Sequence, residues 1–170
     1  MGVPGQYVFV ANGLYDTNLT GTGHQPRGFD QLMTMYRKYE VQECLMEIWA
    51  DPSDNTTSHI MTLSVRSSAA AVTTRDNIME HRTALIKAVA GSNGGPSIVH
   101  HKIAVKPTAF LGLTTDDTLR GSSTSNPTSP VFIHVNTLPI SGTADGGVVH
   151  VQARLTFKVK LSEPREPVAS

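Results

Sequence analysis

The sequence predicts an all-β protein: a sandwich of antiparallel strands, with short helices confined to the connections. Three observations carry that expectation. From Val149 the chain reads VHVQARLTFKVKL, in which Val149, Val151, Ala153, Leu155, Phe157, Val159 and Leu161 alternate with His150, Gln152, Arg154, Thr156, Lys158 and Lys160. A period of two buries one face of a strand and wets the other. The alternation recurs in HIMTLSVRS, where Met61, Leu63 and Val65 oppose Thr62, Ser64 and Arg66, and in PVFIHVNTL, where Val131, Ile133 and Val135 oppose Phe132, His134 and Asn136. Lastly, polar Gly/Ser/Thr/Pro-rich stretches punctuate the chain, DPSDNTTS from Asp51 and TTDDTLRGSSTSNPTSP from Thr114, and these read as exposed connections.

Taken in order, the expected strands cover roughly 6–11, 40–50, 59–66, 83–90, 97–106, 131–138 and 148–161. The first, QYVFVAN, is short, β-branched and aromatic. The second is ambiguous: Val41, Cys44, Leu45, Ile48 and Trp49 fit a helical spacing, whereas Cys44, Met46, Ile48 and Ala50 fit a strand with Glu43 and Glu47 opposite. Its neighbours decide for a strand. TALIKAVA and SIVHHKIAV flank GSNGGP, and Asn93-Gly94 accepts positive φ, so a hairpin is expected there. Ahead of it RDNIMEHR suits a helical turn or two capped by Asp76. Phe29, Leu32, Met33 and Tyr36 sit at i, i+3, i+4 and i+7, a stripe that would seat a short helix, with Asp30 at its N-terminal end. Seven strands joined by turns and long loops mean a sandwich or barrel, and a jelly roll has eight strands in two sheets. One further strand, missing or atypical at the start, would complete it. Residues 1–162 form the domain and 163–170 an exposed C-terminal tail.

Composition narrows the function classes. At 170 residues the chain is one domain's worth. Lys+Arg and Asp+Glu are 14 each, which argues against a strong general nucleic-acid binder, because such proteins carry a basic excess. Charged residues are only 16 %, which fits either a surface covered by other subunits or one rich in Ser and Thr. The single cysteine, Cys44, rules out a disulfide framework and a cysteine zinc site. No apolar run reaches membrane-spanning length, so no membrane partner is expected.

The segment YDTNLTGTGHQPRGFDQ, Tyr15 to Gln31, concentrates three glycines, a proline, two aspartates and a histidine. It is not a phosphate loop: GTGHQPRG departs from GxGxxG, and no GK[ST] follows. His24 with Asp16 or Asp30 lacks a nucleophile tied to it by motif, so no catalytic residue is assigned and the chain is expected not to be an enzyme. His100, His101, His134 and His150 lie on strands but without a recognised ligand spacing, so no metal or other cofactor is expected. The residues Asp16, Gly21, Gly23, His24, Gln25, Pro26, Gly28, Phe29, Asp30 and Gln31 read as a loop of unusual backbone angles closed by a helix.

With its flanks, VFVANGLYDTNLTGTGHQPRGFDQLMTMYRKYEV, this loop resembles the capsid proteins of the circovirus-like, circular single-stranded DNA viruses. The resemblance rests on the strand ending at Asn12, on Leu14-Tyr15-Asp16, on TGTGHQPRGFDQ, and on Tyr36 and Tyr39 ahead of a strand. It implies an antiparallel, eight-stranded viral jelly roll that assembles into a small icosahedral, T=1-like shell around the genome. It also implies a virion protein, present in the host nucleus or cytoplasm during assembly, whose partners are itself, viral single-stranded DNA and an unknown host receptor. Members of that group carry an Arg-rich arm and a first strand ahead of this segment. The DNA would be held mainly through such an arm, which this sequence lacks. The departure leaves open a shortened chain, a chain seen only in part, or a shell without a packaging arm.

On the last strand Arg154, Lys158 and Lys160 are candidates for phosphate contacts. The competing reading pairs Arg154 and Lys158 with Glu43 and Glu47 on a neighbouring strand at 40–50 and leaves Lys160 without an obvious partner. Trp49, Tyr36 and Tyr39 are candidate interface aromatics. The loops at 51–58 and 114–130 are candidates for the outer surface. The other reading of the whole chain is a lectin-like or trimeric protein-binding jelly-roll module.

Overall fold

The computed structural model describes residues 4–19, 25–52, 58–81, 85–89, 98–114, 116–140 and 148–166. Among them, eight strands form two sheets: β1 (Gly5–Val10), β2 (Tyr36–Pro52), β3 (His59–Arg66), β4 (Leu85–Val89), β5 (Val99–Val105), β6 (Arg120–Gly121), β7 (Phe132–Pro139) and β8 (Val149–Pro164). The first sheet runs β1-β7-β3-β4. In the second, β2 is central, with β8 along one side and β5 and the two-residue β6 end to end on the other. All pairings are antiparallel. Short helices α1 (Phe29–Met35), α2 (Arg75–Met79) and α3 (Pro107–Leu111) occupy connections, as the all-β jelly-roll expectation requires.

The core lies between the sheets. Tyr39, Val41, Cys44, Met46, Ile48 and Ala50 of β2 face Met61, Leu63 and Val65 of β3 and Ile133 and Val135 of β7. The strand reading of 40–50 therefore holds. A bulge between Val41 and Glu43 shifts the inward set from odd to even positions. The Cys44 thiol is buried here and desolvation pushes it up to about 12.

Three local expectations are corrected. The strands expected to form a hairpin across GSNGGP both exist, but β4 pairs with β3 in the first sheet and β5 with β2 in the second. The chain crosses the sandwich between them; Asn93 and Gly94 lie outside the described residues. The cap of α2 is Thr74, whose hydroxyl accepts from Asn77 N, while Asp76 sits in the first turn. Only Phe29 and Met33 of the predicted α1 stripe are buried; Leu32 is exposed, and Tyr36 already begins β2.

The outer face of the first sheet is not wet in its middle. His134 and Asn136, on the polar side of β7, are buried. His134 Nδ1 accepts from Gln6 Nε2 at 2.9 Å, its Nε2 donates to Ser68 O at 2.7 Å, and Val72 N donates to Gln6 Oε1 at 3.2 Å. Arg75 donates to Pro139 O at 2.9 Å, which fixes the start of α2. The segment from Ser68 to α2 thus lies across this face, and burial pulls His134 below the usual histidine range.

Candidate nucleic-acid interface and assembly edges

The loop after β1 is tied down by one distant side chain. Asn126 Oδ1 accepts from Tyr15 N at 3.1 Å, Asp16 N at 3.2 Å and Tyr39 OH at 3.3 Å, and Nδ2 donates to Asp16 O at 2.9 Å. Tyr39 OH in turn accepts from Leu14 N at 3.0 Å. The backbone comes so close that a Cβ on Gly13 would lie 2.7 Å from the Asn126 amide, and one on Gly121 would lie 2.2 Å from the Tyr39 ring. Asn12 adds a second tie, donating to Ser129 O at 3.0 Å and accepting from Val131 N at 2.9 Å.

At the far end of the loop Gly28 has φ +80°, a conformation glycine adopts without strain, and α1 starts there. Phe29 meets Tyr39 edge to face at 5.5 Å. With the Gln25 amide nitrogen turned towards it, Asp30 Oδ1 accepts at 3.0 Å. Pro26 O accepts from Phe29 N, which closes the turn into the helix. Gln31 O accepts from Thr34 Oγ1, and its own side chain is exposed. Asp16 thus contributes backbone groups to the Asn126 tie. Gly21, Gly23 and His24 lie outside the described residues. What is described of the motif positions its own backbone and packs α1 on the sandwich.

Tyr39 is therefore corrected as an interface aromatic. It is 0 % exposed and belongs to the core, and desolvation raises its phenol pKa despite hydrogen bonds that lower it. Tyr36 is half-buried at the start of β2, opposite Pro164. Trp49 is half-buried on the outer face of the second sheet, as the strand register predicts.

That outer face gathers charge in rungs. Glu47 lies between Lys102 of β5 and Arg154 of β8. Glu43 lies opposite Lys158, with Lys106 lining the same depression. Glu40 lies between Arg120 and Lys160. The predicted pairing of Arg154 is realised: its Nε and Nη2 reach Glu47 Oε2 at 2.9 and 2.5 Å, and this contact holds the Glu47 carboxyl below its ordinary range. Lys160, which had no evident partner in the sequence, faces Glu40, but Arg120 already approaches that carboxylate at 3.7 Å. Among the described residues no ion pair within 4 Å involves Lys158 or Lys160. Six cations thus stand beside Glu40, Glu43 and Glu47, with Arg120 also bound by Asp117 at 3.0 Å, on one face of a chain whose net charge is zero. Trp49 stacks on His100 at 5.0 Å between ring centres and 14° between planes, and the Arg154 guanidinium sits 5.5 Å from its ring.

A second feature is the rim of β8. This 16-residue strand pairs only with β2 among the described residues. Beside it the sandwich gapes towards β1. One groove there is lined by Tyr7, Phe9, Val135, Val149, Val151 and Ala153, and a second by Phe9, Pro26, Leu155 and Phe157. Tyr7 is 46 % and Val151 39 % exposed.

No protein-family model matches the chain, and no curated protein matches it. Solved virus structures do. A chain of desmodium yellow mottle tymovirus is 12 % identical, with all of this chain and 90 % of that one covered and a TM-score of 0.47. Broad bean stain virus gives 9 % identity, 100 % and 86 % coverage and a TM-score of 0.49. The T=1 subviral particle of a Penaeus vannamei nodavirus capsid protein deletion mutant gives 8 %, 96 % and 92 % coverage, and 0.48. The fold assignment stands on the strand pairings themselves. No described helix is long and apolar enough to cross a membrane.

Proposed function

We propose that this chain is the structural subunit of a viral capsid, assembling with its own copies into a small icosahedral, T=1-like shell that encloses a circular single-stranded DNA genome. The observation that carries the proposal is the open rim at β8. Among the described residues the outer edge of β8 is unpaired beside an apolar groove, so backbone groups and greasy side chains there await a cover, which a second copy of the chain would supply. Association covers such a rim, and combined with at least one further type of contact between copies it can close a shell. The motif loop fits the same role, since its described residues are spent on holding backbone and packing α1. In this reading Lys158 and Lys160 meet phosphates on the genome side beside Arg154, which Glu47 holds, and the virion is where the protein resides.

Size-exclusion chromatography with light scattering, followed by negative-stain microscopy, tests the proposal. Closed particles of uniform diameter are expected. A strict monomer across salt and protein concentration refutes it, and a discrete trimer without shells assigns the chain instead to the protein-binding jelly-roll modules.

A further inference from the structure

We propose that the outer face of the second sheet is a binding site for single-stranded nucleic acid, in which an unpaired base stacks on the free side of His100. The inference rests on the capsid reading only for the source of the strand. Three observations point to it. First, His100, Trp49 and Arg154 already form a stack across three strands. Its order is fixed, because Glu47 holds Arg154 with two hydrogen bonds at one end. At the other end His100 stands on the edge strand β5, its Nε2 3.7 Å from Glu47 Oε1 and its side chain 47 % exposed, which leaves ring surface open to a ligand. Lys87 of β4 donates to His100 O at 2.7 Å, which brings another cation to the platform.

Second, the cations outnumber the carboxylates. Each glutamate of β2 has a cation on both flanks and can satisfy the charge of one, and Asp117 takes a further share of Arg120 at 3.0 Å, which leaves about two positive charges, at Lys158 and Lys160, for a ligand. Third, the spacing suits an extended polyanion. Lys158 and Lys160 are two residues apart on one side of β8, about 7 Å, and Arg154 to Lys160 spans about 20 Å at the rise of a strand. Stacking surfaces beside a positive track are how proteins hold single strands without reading sequence. A duplex offers phosphates but no free base face, so the platform selects unpaired strands.

Trp49 is the only tryptophan, so its fluorescence reports on this site alone. The full chain is titrated with oligothymidylate, with an abasic deoxyribose-phosphate oligomer of the same length, and with a duplex. Material already in shells is disassembled and reassembled with each probe present. Oligothymidylate is expected to change Trp49 emission and to bind roughly tenfold more tightly than the abasic oligomer. Its log affinity should fall against log salt with a slope of about −1.4, the value for two phosphates neutralised on a single strand. H100A should remove most of the tenfold preference while leaving the abasic affinity unchanged, and K158Q/K160Q should weaken both probes alike. Equal binding of thymidylate and abasic oligomers, a silent Trp49, or an H100A chain with intact preference overturns the inference. Shells without a Trp49 response refute the platform but keep the capsid; a Trp49 response with no shells at any concentration does the reverse.

Discussion

Replacing Asn126 with alanine is the sharpest test of what the Tyr15–Gln31 segment is for. The side chain makes four hydrogen bonds, three of them with part-buried partners at Asp16 N, Asp16 O and Tyr39 OH. The fourth, from Tyr15 N, is exposed and can turn to water at little cost. At about 1 kcal/mol for each part-buried bond, and more where a group is left unpaired, N126A should lose about 3 kcal/mol. For a domain of this size that corresponds to a fall of roughly 6–12 °C in Tm. Urea unfolding followed by far-UV circular dichroism, on samples matched for oligomeric state, measures it. The companion Y39F removes the hydroxyl that links Leu14 N to Asn126. The two substitutions share a bond, so the double variant should be less destabilised than the sum, by about 0.5–1.5 kcal/mol. A loss below about 0.5 kcal/mol for N126A, or strict additivity with Y39F, would refute the tie between loop and sandwich.

Gly121 faces the same tyrosine, and a methyl there would overlap a ring that has no room to retreat; G121A should cost at least as much as ordinary overpacking, about 1–3 kcal/mol, read by the same unfolding curves. Buried Cys44, its thiol pushed up to about 12, should resist a thiol reagent at pH 8 in native protein and react at once in denaturant; fast native labelling would contradict the packing of β2. His134 is held neutral by burial, so its folded pKa lies below its unfolded one. Its share of stability is complete above the unfolded value near 6.5 and is lost as pH falls through the folded value. H134Q should therefore show a flatter decline in stability below about pH 6.5 than the parent chain, and an equal slope would exclude His134 as the source.

How far the sequence reveals this molecule differs from element to element. In β8 every second residue is apolar from Val149 to Leu161, so strand, facing and even the Arg154–Glu47 rung are legible. In β2 the bulge at Val41/Glu43 breaks the period, which is why helical spacing competes there; tertiary pairing on both sides settles it. The Gly-rich sequence after β4 signals a reversal but not a change of sheet, since turn chemistry encodes local φ and says nothing about which partner waits. Asn126 is not legible at all. It sits in a Ser/Thr-rich stretch that reads as a connection, and its partners are 110 and 87 residues away. The excess charge of the outer face is hidden for a different reason: a net charge of zero averages over a surface whose signs are segregated.

That segregation bears on how a neutral chain could hold a polyanion. The carboxylates Glu40, Glu43 and Glu47 all lie on the central strand, and the cations lie on the flanking ones. A phosphate track along β8 therefore meets Lys158 and Lys160 before it meets a carboxylate, and Arg154 stays engaged with Glu47 throughout. Removing that carboxylate distinguishes two roles for Arg154. In E47Q the guanidinium is freed: if Glu47 merely competes with phosphate, affinity for single strands should rise and the salt slope should steepen by about 0.7, one further phosphate neutralised. If Glu47 instead positions Arg154 against Trp49, as the bidentate contact and the 5.5 Å approach to the ring suggest, the abasic oligomer should gain affinity while thymidylate gains less, because the end of the stack is loosened. Equal gains for both oligomers would mean that the rung is electrostatic only and that the rings do not act with it.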